Sequence, residues 1–187
     1  MQNYSLVRRG AGTAVLEHTK VPTLPDDYVL VRTKAVALNP TDWTTLDAVG
    51  DDGTIVGCDY AGVVEDVGQD AAKRFRKGDR IAGFGHGGND ANPENGAFAR
   101  YIAVKGDIQM HIPNHVSFEA ASTVGVGICT VGLWPLSRPE SPTSGLGVQR
   151  PWRDSSRLRG KHGHWHTRDT IREIASLPDE IARLCLC

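Results

Sequence analysis

Residues 57–68 read Gly57-Cys58-Asp59-Tyr60-Ala61-Gly62-Val63-Val64-Glu65-Asp66-Val67-Gly68. The run from 60 to 67 is β-branched and aromatic, is of strand length, and is bracketed by glycine. Glycines inside and beside a strand belong where a sheet curves tightly, through positive φ or close backbone approach. Gly57, Gly62, Gly68, Gly78 and Gly83 are therefore placed at bends, and Tyr60, Val63, Val67 and Phe98 in the core. Working outward, residues 4–17 read as a hairpin turning at Gly10-Ala11-Gly12. Residues 29–38 form a second long strand, stopped by Pro40. The turn Arg76-Lys77-Gly78-Asp79 leads into a strand at 80–84, and further strands are expected at 97–104 and 108–112. Ser117 is an N-cap signal, with Glu119 in the first turn, for a helix through Thr123; a second helix is expected at 128–133. Short strands with Gly-rich turns, not alternating with helices, predict a mainly β fold: a partly open barrel with short helices.

The composition narrows the function. With 187 residues, 40% hydrophobic and 23% charged, the chain can bury one core. No apolar run approaches the ~18–20 residues a membrane span needs, and the opening residues lack a secretory pattern. A net charge of -1 gives no reason to expect nucleic acid as a partner. Four cysteines, Cys58, Cys129, Cys185 and Cys187, are too few for a disulfide framework, which predicts a reduced, cytoplasmic setting. The charge is uneven: net -4 over residues 1–137 and net +3 over 138–187. The second stretch is rich in Arg, alternates His162, His164 and His166, and shows no apolar period before about Thr170. Ile171, Ile174, Ala175, Ile181 and Leu184 then suggest short helices around Pro178. Residues 1–136 are accordingly expected to form the domain, and 137–187 an irregular or weakly helical tail.

Several strings occur in one order: Ala37-Leu38-Asn39-Pro40-Thr41-Asp42-Trp43, the 57–68 stretch, Lys77-Gly78-Asp79-Arg80-Ile81-Ala82-Gly83, Gly96-Ala97-Phe98-Ala99-Arg100-Tyr101, Ile112-Pro113 and Ala120-Ala121-Ser122-Thr123-Val124-Gly125. Together, over roughly residues 4–136, they resemble the GroES-like N-terminal domain of medium-chain dehydrogenases/reductases, in the zinc-free branch that includes trans-acting enoyl reductases of polyketide synthesis. The zinc branch carries Cys-His-x-Asp and Gly-His-Glu strings where this chain has Asn39-Pro40-Thr41-Asp42 and Gly57-Cys58-Asp59. Asn39 and Pro40 cannot supply the converging ligands of a catalytic zinc, so no metal is expected.

The resemblance implies NADPH-dependent reduction of an activated alkene, with hydride delivered to the β-carbon of a small-molecule or carrier-tethered enoyl substrate and a polyketide synthase as partner. Charge gathering on the thioester oxygen must then meet hydrogen-bond donors. It further implies cofactor contact by Asn39, Pro40, Thr41, Asp42, Trp43 and Thr44, substrate contact by Val131, Gly132 and Leu133, and a catalytic hydroxyl on Thr130. Close relatives usually show Lys where this chain has Thr44, so a cationic role there is not carried over. The same resemblance admits a quinone or other alkene reductase, and a non-catalytic GroES-like binding module.

Such a reductase also needs a dinucleotide-binding βαβ unit with a Gly-rich loop, and none follows Leu133 in the sequence. Gly145-Leu146-Gly147 has neither a preceding strand nor a third glycine in register. Residues 156–175, back-translated and read one nucleotide later, allow L-V-Y-G-G-S-T-A-T-G-T-L-A-I-Q-x-A-K-L: a strand, a Gly-rich turn and a helix start. The expectation is a family N-domain followed by an out-of-frame remnant of the cofactor domain, with a genuine C-terminal appendage carrying a basic patch as the rival reading, so that NADPH binding would belong to the full-length parent.

Overall fold

The computed structural model describes residues 2–133 and one later strand, Arg183–Cys185. Two strands, β1 (Asn3–Arg8) and β2 (Ala14–Thr19), form the expected antiparallel hairpin, with Asn3 opposite Thr19 and Arg8 opposite Ala14. The six-stranded sheet is built from β3 (Tyr28–Ala37), β4 (Asp59–Val67), β5 (Arg80–Phe84), β6 (Tyr101–Lys105), β7 (Met110–His111) and β8 (Arg183–Cys185). Its path runs β6-β3-β4-β5-β7, with β8 added on β3. The β3–β4 register slips twice, between Leu30 and Val31 and between Thr33 and Ala35. Each slip bends the pair and raises its twist, which curls the sheet toward a barrel.

β1 seals the open side. Its backbone bonds to Phe98 O through Leu6 N–H and to Thr54 O through Arg8 N–H, and Leu6 O accepts from Val56 N–H. The wholly buried Asn3 amide adds a second clasp: Oδ1 accepts from Tyr101 N–H at 2.8 Å and Nδ2 donates to Tyr101 O at 3.2 Å. Inside lie Leu6, Val29, Val31, Val36, Tyr60, Val64, Phe75, Ile81, Phe98 and Ile102. Gly57 takes φ +93, and a Cβ there would enter the Phe98 ring. Val67 is half-buried and packs against this core, whereas Val63, also half-buried, lies outside it, contrary to expectation. A second, smaller cluster joins Ala61, Ala82, Ile112 and Ala121 beneath α2 (Phe118–Ser122).

Several elements depart from the sequence expectation, among them the strand expected at 108–112, which shrinks to β7 after a 3-10 turn over Gly106–Ile108. The expected strand over 97–104 narrows to β6, because residues 97–100 bond in turn to Gly57, Val56 and Tyr4 rather than along one ladder. The second helix, α3, starts earlier than expected and spans Gly125–Leu133. A short helix, α1 (Pro40–Thr44), runs directly into a π turn over Thr45–Val49 that the sequence reading does not anticipate. In the tail, Arg183–Cys185 pairs in parallel with Ala35–Ala37 instead of joining a helix through Ile181 and Leu184. The rest of 137–187, including Gly145-Leu146-Gly147 and the 156–175 segment, lies outside the described residues. Among the described residues no helix is long and apolar enough to cross a membrane.

Candidate functional site

α1 begins where β3 ends. Pro40 sits at N1, where its missing N–H costs nothing, and Asp42 three residues past Asn39 closes the turn by accepting Asn39 N–H at Oδ2, 2.7 Å. The following π turn is fastened from the hairpin: Arg8 Nε donates to Leu46 O at 2.8 Å and Arg8 Nη1 pairs with Asp52 Oδ1 at 2.5 Å. π turns of this kind recur at functional sites.

The buried polar groups of the site converge at the start of β4. Asp59, wholly buried, accepts the Asn39 side-chain N–H at Oδ2 (2.9 Å) and the Val126 backbone N–H at Oδ1 (2.7 Å). Asp42 is 8% exposed, and its Oδ1 has no hydrogen-bond partner although the Cys58 thiol and amide lie beside it. Burial pushes the Asp42 carboxyl up to about 6, against the Asn39 N–H that favours its charged form. Burial likewise raises Asp59 and the Cys58 thiol, the latter further through Asp42. A thiol held protonated in this way is inert as a nucleophile.

The sequence-derived residues divide between this cluster and the surface. Asn39 and Asp42 belong to the cluster. Pro40, Thr41, Trp43 and Thr44 lie on the exposed side of α1, and the Thr44 hydroxyl donates to Pro40 O at 3.0 Å. On α3, Thr130, Val131 and Gly132 are exposed, Val131 by 73%, while the side chain of Leu133 lies outside the described residues. The Thr130 hydroxyl donates to Val126 O at 2.8 Å, so a substrate oxygen would have to compete for its proton. Gly125, Asp59 and Val126 are the participants that sequence reasoning passed over. The cue to Asp59 was its place in Gly57-Cys58-Asp59, opposite the Gly-His-Glu string of the zinc branch, where it enters only as a candidate metal ligand, and Gly125 was quoted only as the end of a motif.

Among the described residues no group of three or more His, Cys, Asp or Glu side chains could hold a metal. A half-open cavity of about 350 Å³, lined by Tyr28, Phe84, His86, Asn95, Lys105 and Ile108 among others, shares no residue with the Asn39–Asp59–Val126 cluster. We place the candidate site at the cluster, because the cavity holds no buried polar group aimed into it.

Comparison with known proteins gives three findings. Residues 25–114 match the alcohol dehydrogenase GroES-like domain. The chain is 53% identical over 154 residues to the trans-enoyl reductase resD of Aspergillus sclerotiorum, covering 79% of this chain and 43% of that protein. It is 57% identical over 112 residues to the trans-enoyl reductase TOXD of Cochliobolus carbonum, covering 60% and 38%. Among solved structures, an alcohol dehydrogenase superfamily protein from Novosphingobium aromaticivorans superposes with a TM-score of 0.63 at 25% identity, over 71% of this chain and 41% of that one. The chain thus spans about two fifths of the length of the relatives it matches.

Proposed function

We propose, from the match of residues 25–114 to the alcohol dehydrogenase GroES-like domain, that the chain is the substrate-side portion of an NADPH-dependent enoyl reductase. The substrate is an enoyl group on a small molecule or a carrier, a polyketide synthase supplies it, and the setting is cytoplasmic. The observation that carries this reading is the 53% identity to a trans-enoyl reductase across the region that contains Asn39, Asp59 and α3.

The described residues fit one wall of such a site. Asn39–Thr44 presents a polar, partly exposed turn for the nicotinamide side, and α3 presents Ile128 and Val131 for an acyl chain. They contain no Gly-rich phosphate loop, so residues 39–44 would touch only one end of the cofactor. NADPH, when bound, supplies the hydride. The protein's own share is to orient the alkene, exclude water and offer donors to the developing enolate oxygen. In that role Thr130 would have to turn its hydroxyl from Val126 O toward the substrate. In this proposal the tail is an out-of-frame remnant of the cofactor domain.

The test starts from the coding DNA across residues 130–187, which should contain the Gly-rich string in the adjacent frame. NADPH should bind weakly or not at all to the 187-residue chain. A chain with the frame restored should bind it and consume an enoyl thioester, read at 340 nm. Absence of the string would sink the frame reading. A restored chain that reduces quinones but not enoyl thioesters would overturn the substrate.

A further inference from the structure

We infer that Asp59 is a positioning residue whose two carboxylate oxygens hold the Asn39–Thr44 turn and the start of α3 in one fixed relation. The functional weight of this rests on reading those two segments as the cofactor-side and substrate-side walls.

The geometry carries the inference. Asp59 opens β4, and its main chain lies in the ladder between Ala37 and Phe84, so its Cα is fixed on both sides. From there the carboxylate reaches residues 20 positions before it and 67 positions after it. Asn39 is gripped twice, at its side chain by Asp59 and at its backbone N–H by Asp42. At the other arm the approach is so close that a Cβ on Gly125 would lie 2.6 Å from Asp59 Oδ1 and 2.6 Å from Gly83 O. Glycine is poor in helices, losing about 1 kcal/mol against alanine, so its place at the head of α3 follows from this contact rather than from propensity. α3 also turns much of its apolar surface outward: Ile128 is 54% exposed and Val131 73%. A helix with so little packing depends on a polar anchor at its head, and an anion beside the first N–H groups also suits its dipole. The titratable neighbours of Asp59 are Asp42 on α1 and Cys58 beside it in the chain, and its hydrogen-bond partners are two neutral N–H groups.

One carboxylate gripping two segments couples them: a donor lost at one oxygen changes the charge affinity felt at the other. The experiment follows the Val126 backbone amide and the Asn39 side-chain amide of the isotopically labelled 187-residue chain by NMR as pH is varied. Both should titrate with one common midpoint, above 3.8, and should keep it in Asp42→Asn. Asn39→Ala should move the Val126 midpoint upward. Asp59→Asn should abolish both titrations and speed hydrogen exchange at least tenfold in 39–44 and 125–130, with the β1–β2 amides unchanged. Different midpoints for the two amides, or a Val126 midpoint unmoved in Asn39→Ala, would overturn the inference; the second result is available even where Asp59→Asn does not fold. Neither NADPH nor substrate enters the measurement, so a wrong reductase reading leaves these outcomes standing, and failure here leaves that reading untouched.

Discussion

The wall of the barrel around Tyr60 and the turn from Asn39 to Gly50 bury polar groups in opposite ways. Tyr60 donates its hydroxyl to Gln109 Oε1 at 2.7 Å, and Gln109 Nε2 donates to Lys105 O at 2.9 Å, with both side chains at 1% exposure or less. The loop closes on itself, so burial there costs little. Around Asn39 two carboxylates and a thiol are buried together, one oxygen lacks a partner, and the helix changes pitch within ten residues. One region is arranged for stability; the other holds buried carboxyl groups and a partnerless oxygen in place, as functional segments do when a rigid scaffold bears the cost.

Three measurements would break or sharpen that contrast. The largest effect is expected in the barrel: Phe98→Ala removes a ring that is 3% exposed and lies against Gly57. It should cost about 3–5 kcal/mol in urea denaturation, and a cost below about 1 kcal/mol would deny the barrel its role as the rigid half. Next comes Asp42→Asn. Because folding raises the Asp42 carboxyl from 3.8 to about 6, the protonated form is bound more tightly in the folded state. Its contribution is fully present below pH 3.8 and is lost as pH rises through about 6. The interval corresponds to roughly 3 kcal/mol. The variant should therefore be the more stable chain at pH 7.5, and the difference should shrink as pH falls through 6 and vanish only below 3.8; a difference constant with pH would place the cost of the turn elsewhere. The smallest effect is expected at Ser117, whose hydroxyl accepts Ala120 N–H at 3.1 Å to cap α2, away from both regions. Ser117→Ala should cost about 1 kcal/mol with no dependence on pH between 4 and 7.

Much of the barrel was legible because its signals are local. Strand-length β-rich runs bounded by Pro40 and by glycines marked β3 and β4, the charged turn at 76–79 marked β5, Gly10-Ala11-Gly12 marked the hairpin, and Ser117 marked the cap of α2. α1 was missed although its signals were present: Pro40 stops a strand and also starts a helix, and Asn39 with Asp42 forms the frame of a capped first turn. The early start of α3 could not be read, since Gly125 and Gly127 argue against a helix until Asp59 and Gly83 are seen against Gly125. At the site, the strings pointed to Asn39 and Asp42 but not to the carboxylate that joins them to α3. No periodicity pairs residue 59 with both 39 and 126; only the curvature of the sheet brings them together.

The clasp between Asn3 and Tyr101 has a consequence for how the chain is made. Its partners are 98 positions apart, and a ribosome adding about 5–20 residues per second needs roughly 5–20 s to produce the second after the first. β2 is available early to pair one edge of β1, but the other edge waits for Thr54 and Val56 and, last, for Phe98 and Tyr101. That second edge of β1 is thus among the last parts of the barrel to be sealed, and its exposure to wrong partners is set by the clock of translation rather than by the stability of the finished barrel.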